Sequence, residues 1–308
     1  MEFQHKPVML NECIEGLDIK PDGIYVDGTA GGAGHSVAIA KELKTGRLIA
    51  FDRDPYAVKI ATERLNPFKT ALVINANFSD IESELSKLNI NMINGILLDL
   101  GVSSYQLDNA DRGFSYNSDA RLDMRMSQSG ISAEDIVNTY SLEQLTKILR
   151  DFGEEKFAYN ISKNIVSLRE KERITTTQQL ADIIKSSIPA AARREGGNPC
   201  KRTFQGIRIA VNSELESLSA GLDAAFELLS TGGRMAVITF HSLEDRIVKL
   251  RFLEWAKGCT CPPDFPICVC NNKPRGRIIT KKPILPSFQE ISENSRSKSA
   301  KLRIIEKL

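Results

Sequence analysis

Three aspartates, Asp27, Asp52 and Asp99, each close an apolar run of the kind that forms a buried strand: IYVD, LIAFD and ILLD. After the first of them come four glycines, at 28, 31, 32 and 34, before a helical pattern begins at Ser36. A strand, a tight glycine turn and a helix start make a nucleotide-type pocket. Glycine lets the backbone approach a ligand, and the first turn of a helix leaves N–H groups without partners. The spacing is not G-x-G-x-x-G, and a carboxylate at Asp27 would stand where a dinucleotide's pyrophosphate has to be cradled. A ligand carrying an ammonium and a sulfonium suits that carboxylate instead. Asp52, 21 residues after Gly31, ends a second strand, where an acid accepts hydrogen bonds from both ribose hydroxyls. The pattern favours S-adenosylmethionine over NAD; the bland alternative is a glycine-rich turn with one capping aspartate.

Other residues have a chemical and a structural reading side by side. Asp99 ends the fourth strand, where a methyltransferase of this architecture joins donor and acceptor, or it caps the next helix. Phe78 follows the third strand and lines an adenine or fills the core. Gln106 bonds the ligand or its own loop, and position alone favours the loop. His35, at a helix start, meets the donor through its backbone, while its side chain is explained equally well as a cap. His241, in ITFHSLEDR, stands at a strand end with a pocket role and a structural one in balance, and Glu244 and Asp245 complement a helix N-terminus. No cysteine occupies a strand-end loop beside a proline, which argues against covalent attack on a pyrimidine ring carbon. Cys259, Cys261, Cys268 and Cys270 form a C-x-C, six-residue, C-x-C cluster. Four thiolates suit a tetrahedral zinc ion, but C-x-C is tighter than the usual C-x-x-C knuckle, and no residue is assigned to a metal; reduced thiols in an apolar loop are the alternative.

The elements that position these residues follow from the patterning. Strands at 24–27, 48–52, 71–74 and 95–99 alternate with helices at 35–43 and from Pro55 onward, the latter burying Val58, Ala61 and Leu65. Such alternation implies an α/β fold with a parallel sheet covered on both faces and ligands at the carboxyl ends of its strands. The N-terminal segment His5 to Leu17 packs Met9, Leu10 and Ile14 on the body near the glycine loop. From Tyr105 to Thr203 the pattern is helical: Ser141 with Gln144 and Thr176 with Gln179 have capping-box spacing, and Phe157, Ile161, Ile165 and Leu168 repeat at helix spacing. That stretch reads as an inserted all-helical domain, 105–203, between core segments 1–104 and 204–308. Its end carries Arg193, Arg194, Lys201 and Arg202. The core resumes with a helix from about Gln205 to Leu229, a strand at 234–240 and two tail strands, 277–280 and 301–305.

Composition sets the outer bounds. With 308 residues, 42% hydrophobic and 26% charged, the chain has the makings of a globular protein of one large domain or two. No apolar run approaches the roughly 20 residues of a membrane span, and the N-terminus lacks a signal's apolar core, so the expected compartment is the cytoplasm. A net charge of +2 provides no global attraction for nucleic acid. A basic stretch is local: Lys273, Arg275, Arg277, Lys281 and Lys282 lie between 265 and 289 with no acid among them.

Taken together, HKPVML, DGTAGGAGHS, AFDRDP, ILLDLGVSSYQLD, RGFSY, LDMRM, RTFQGIRIAVNSEL, ITFHSLEDR and RSKSAKLRI resemble one family over nearly the whole chain. It comprises the bacterial RsmH or MraW methyltransferases, which modify the exocyclic N4 of a cytidine in the decoding region of 16S ribosomal RNA. The resemblance implies a Rossmann-like class I methyltransferase core, a helical insertion that helps recognise RNA, and S-adenosylmethionine as donor. The family's donor-binding positions fall on Ala33, Gly34, His35, Asp52, Phe78, Asp99 and Gln106. A second glycine is common in the family where Ala33 stands, and a backbone contact survives that change. The loop DLGVSS is not the (D/N/S)-P-P-(Y/F/W) of many amino-methyltransferases, so base-positioning groups do not carry over from those. Cytosine's amino nitrogen is a weak nucleophile, and an acceptor for one of its hydrogens would stabilise the charge developing on it. Asp99 is the first candidate for that role, Ser103 or His241 the second. The partner is then 16S ribosomal RNA within the small ribosomal subunit. Whether the chain acts alone or as a homodimer stays open in the sequence.

Overall fold

The computed structural model describes residues 7–195, 197–259, 261, 270 and 272–308. Short apolar runs become strands, and the amphipathic stretches between them become helices. In chain order the elements are α1 (Leu10–Leu17), β1 (Ile24–Asp27), α2 (Gly34–Glu42), β2 (Arg47–Asp52), α3 (Pro55–Leu65), β3 (Ala71–Asn75), α4 (Ile81–Lys87) and β4 (Ile93–Asp99). Seven helices follow: α5 (Ser104–Asp108), α6 (Ala133–Thr139), α7 (Leu142–Asp151), α8 (Ala158–Arg169), α9 (Thr177–Ser187), α10 (Ala190–Glu195) and α11 (Cys200–Asn212). The remainder is α12 (Glu214–Leu228), β5 (Leu229–Thr239), α13 (Ser242–Trp255), β6 (Gly276–Ile278), α14 (Phe288–Glu293) and β7 (Lys301–Lys307). The chain folds as two units, Met1–Gly101 with Leu215–Leu308, and Val102–Glu214.

All the strands among the described residues belong to the first unit and form one sheet in the order β3-β2-β1-β4-β5-β7-β6. β1 to β5 run parallel, while β7 is antiparallel to both β5 and β6. Alternate residues of each strand feed opposite faces. On β4, Ile96 and Leu98 pack with α12 and α13 residues such as Leu222 and Phe252, whereas Leu97 packs with α1 and α2 residues such as Leu17 and Ile39. Both faces are covered, which is why these strands are apolar throughout. The register sets Asp27 beside Leu97 and Asp52 beside Asn75, so Asp27, Asp52 and Asp99 all end at one edge of the sheet.

The second unit has its own core, including Leu149, Ile161, Ile165, Leu180, Ile184 and Ile207. Ser132, Ser141 and Thr176 close capping boxes at the starts of α6, α7 and α9. The buried Asn212 accepts from the Met126 N–H at 2.9 Å and donates to the Met124 carbonyl at 2.8 Å, tying α11 to the loop before α6.

Several details differ from expectation. The buried face of α3 is Ala57, Ala61 and Leu65, spaced four apart, and Val58 stands half-buried beside it. In α8, Ala158 and Ser162 join Ile161 and Ile165 inside, while Leu168, in the last turn, is exposed. The single helix expected from Gln205 to Leu229 is two: Ser213 takes a left-handed conformation, φ 47°, and its N–H caps α11 on the Ile209 carbonyl. Because α11 belongs to the second unit, that unit ends near Glu214 rather than at 203. His5 lies outside the described residues; α1 follows it, with Met9, Cys13 and Leu17 buried.

Candidate active site

The glycine turn after β1 is held by both neighbouring strands. Gly28 N–H donates to Leu97 O at 2.9 Å and Ala30 N–H to Phe51 O at 2.8 Å. A Cβ at Gly28 would lie 2.4 Å from Leu98 Cδ2 and 3.0 Å from Phe78 Cβ, so only glycine lets the turn sit this close. Two side-chain contacts then fix its shape. Gly31 N–H donates to Asp52 Oδ2 at 2.7 Å, and Asp99 N–H donates to Thr29 Oγ1 at 2.6 Å. Ala33 is left-handed at φ 59°, the conformation a glycine adopts without cost.

The carboxyl groups at this edge repel one another, and burial favours their neutral forms. Asp27 accepts from Ser36 Oγ at 2.5 Å and from Thr29 N–H at 3.1 Å; burial pushes its pKa to about 6, against hydrogen bonds from Ser36 and from the backbone and side chain of Thr29. Asp52 is also raised to about 6 by burial, offset by the N–H groups of Asp54 and Gly31. Asp99 goes furthest, to about 8, through burial and then the charges of Asp27 and Glu244. Among the described residues no positively charged side chain lowers any of the three. Asp99 Oδ1 is buried with no hydrogen-bond partner among the described residues, and Oδ2 lies 3.6 Å from His35 Nδ1. Burial lowers His35 to about 4, so its ring is neutral at pH 7. Its Nε2 is 3.0 Å from the Val8 carbonyl, which assigns the ring proton there and turns the Nδ1 lone pair towards Asp99. A cluster of acids, Asp27 buried and Asp52 and Asp99 half-buried, with displaced pKa values and an orphaned oxygen marks a functional site, and its charge suits a cationic ligand.

The raised pKa has a measurable consequence for stability. The native state favours neutral Asp99, so that contribution is complete below the ordinary carboxylate pKa and is lost as pH rises through about 8. Asp99→Asn keeps the neutral shape. Without ligand it is expected to melt above the wild type at about pH 9, with the gap narrowing as pH falls and closing only by about pH 4. Thermal melts of both proteins at the two pH values check this; a gap independent of pH would contradict the protonation of Asp99.

The residues singled out in the sequence divide between the units. Ala33, Gly34, His35, Asp52, Phe78, Asp99 and His241 belong to the first. Gly34 packs on Pro7, where a Cβ would approach the ring to 3.0 Å. Phe78 opens a short turn, half-buried, with its ring against Gly221. His35 does not cap α2: Ala33 holds that position, and the His35 ring turns to Val8. Nor does Asp99 cap the following helix, a task that falls to Ser103. Ser103 and Gln106 lie in the second unit and form a capping box with each other: the Ser103 N–H donates to Gln106 Oε1 at 3.0 Å. His241 caps α13, with Glu244 N–H 3.4 Å from its Nδ1, and the buried Glu244 carboxylate accepts from the Phe240 and His241 N–H groups. Asp245 instead binds Lys301 at 3.0 Å and Arg303 at 2.7 Å. Sequence reasoning missed Thr29 and Ser36, whose hydroxyls join the turn to Asp99 and Asp27, although both stand inside the DGTAGGAGHS motif.

A parallel sheet in this order with an antiparallel β7, carrying a glycine turn among acids at its carboxyl edge, defines a Rossmann-like class I methyltransferase. The chain belongs to the MraW methylase family, whose description matches residues 2–308. It is similar to the ribosomal RNA small subunit methyltransferase H 2 of Agathobacter rectalis, 57% identical over 311 residues that cover 100% of this chain and 99% of that protein. The ribosomal RNA small subunit methyltransferase H of Lachnospira eligens is 54% identical over 311 residues, covering 100% and 99%. That of Ruminiclostridium cellulolyticum is 52% identical over 313 residues, covering all of both chains.

Proposed function

We propose that this methyltransferase moves the methyl group of S-adenosylmethionine to the exocyclic N4 of a cytidine in the decoding region of 16S ribosomal RNA. The observation that carries the reading is the cluster of Asp27, Asp52 and Asp99 around the glycine turn, with no cation among the described residues lowering their pKa values. The donor's sulfonium and ammonium supply the missing positive charge, and Asp52 takes the ribose hydroxyls beside its contact with Gly31. Family membership and the names of the relatives support ribosomal RNA as the acceptor.

In the reaction the amino nitrogen attacks the methyl carbon as the carbon–sulfur bond breaks. The products are S-adenosylhomocysteine, an N-methylated base and one proton. Drawn to its ionised form by the sulfonium, Asp99 accepts an amino hydrogen and stabilises the positive charge building on nitrogen. The target base has to leave its stack or lie in an open region to reach this edge.

The second unit contributes to RNA recognition. Arg193, Arg194, Lys201 and Arg202 are exposed, and none has a carboxylate partner among the described residues. They hold phosphates without reading sequence. In the tail, Arg275 pairs with Glu227 and Arg277 with Glu306, which leaves Lys273, Lys281 and Lys282 as the exposed cations suited to that task. Tritiated methyl transfer compared on small ribosomal subunits, free 16S RNA, DNA and cytidine tests the reading. Label should enter small-subunit RNA alone; equal labelling of DNA or of the free nucleoside would overturn it.

A further inference from the structure

Between α13 and β6 the described residues form no helix or strand, and three cysteines meet there. Cys259, Cys261 and Cys270 place their sulfur atoms within 4.8 Å of one another, and Cys259 and Cys270 Sγ are 3.7 Å apart. No disulfide joins them. A tetrahedral ion with metal–sulfur bonds of about 2.3 Å holds its thiolates about 3.8 Å apart, the spacing of this pair. A disulfide would need about 2.05 Å.

The surrounding loop supports the same arrangement. Asn272 N–H is directed at Cys270 Sγ at 3.5 Å, a hydrogen bond that favours the thiolate. The Asn272 side chain also donates to the Lys257 and Gly258 carbonyls at 3.2 and 2.7 Å, joining the two arms that carry Cys259 and Cys270. Cys259 is exposed and the other two half-buried, so an ion can reach them. Cys13 and Cys200 are different: both are buried, and burial drives both thiols away from ionisation.

We propose that Cys259, Cys261 and Cys270 bind one zinc ion as thiolates, pinning the loop between α13 and β6. Each thiol releases its proton to solvent on binding, and no redox step is involved. Three soft sulfur donors select zinc over magnesium or calcium. Cys268, the fourth cysteine of the cluster, lies outside the described residues, so the three described thiolates carry the proposal. It is independent of the assignment of the methyl acceptor.

The test is metal analysis of the full chain purified without chelator, followed by replacement of bound metal with cobalt(II). The expected result is one equivalent of zinc per chain and a cobalt spectrum with thiolate charge-transfer bands and tetrahedral ligand-field bands. Cys259→Ser, Cys261→Ser and Cys270→Ser should each lower retained zinc about tenfold or more after dialysis, with Cys200→Ser unchanged. If a serine variant fails to fold, the cobalt spectrum of the wild type decides. A wild-type chain that takes up no zinc, an intact mass showing a disulfide in the cluster, or zinc retained by all three variants would overturn the proposal.

Discussion

Asp99→Ala is expected to slow methyl transfer about 100- to 1,000-fold at saturating donor and RNA, the loss typical of removing one group aimed at developing charge. The reason is local. Asp99 Oδ2 lies 3.6 Å from His35 Nδ1, and Oδ1, the oxygen proposed to take a hydrogen of the acceptor nitrogen, has no hydrogen-bond partner among the described residues. Asp99→Asn keeps a carbonyl acceptor but not the charge, so its loss should be smaller, about tenfold. Single-turnover rates with tritiated donor measure both. If the alanine variant transfers methyl at the wild-type rate, Asp99 has no part in the chemistry.

Asp52→Ala is expected to act on binding instead. Its carboxylate pins Gly31 through Oδ2 and Asp54 through Oδ1, at 2.7 and 2.8 Å, and is the group proposed to take the donor's ribose hydroxyls. Hydrogen bonds to a charged acceptor contribute about 1.5–3 kcal/mol each, and the turn loses an anchor as well. The dissociation constant for S-adenosylhomocysteine should therefore rise about a hundredfold, equivalent to about 3 kcal/mol. Calorimetric titration reads it directly. The single-turnover rate at saturating donor should fall less than about tenfold, since Asp52 does not meet the transferred methyl group. Unchanged affinity would remove Asp52 from the donor site.

The sheet was legible because its strands are buried on both faces and so appear as unbroken apolar runs, each ended by an acid or a turn residue. The capping boxes at Ser141 and Thr176 were legible for a similar reason: their chemistry is local, three residues apart. What the sequence hid depends on partners distant along the chain. The contact of Thr29 with Asp99 spans 70 residues, and the His35 ring turns to Val8 rather than to its own helix. The break at Ser213 was hidden because a left-handed serine has no mark of its own in a helical pattern. Tail cations singled out in the sequence proved partly engaged, Arg275 with Glu227 and Arg277 with Glu306, pairings that a count of charges does not reveal. The displaced pKa of Asp99 likewise comes from burial and from Asp27 and Glu244, groups brought together only by folding.

The central claim is that this carboxyl edge delivers a methyl group to the amino nitrogen of a cytosine in 16S ribosomal RNA. It is tested most directly by methylating small subunits that lack the modification, digesting the RNA with nuclease and identifying the labelled nucleoside by mass spectrometry against standards. The account predicts N4-methylcytidine at a single position in a fragment from the decoding region, with the label absent when Asp99→Ala replaces the wild type on the same time scale. Label recovered as 5-methylcytidine, or in a fragment from elsewhere in the RNA, would contradict it.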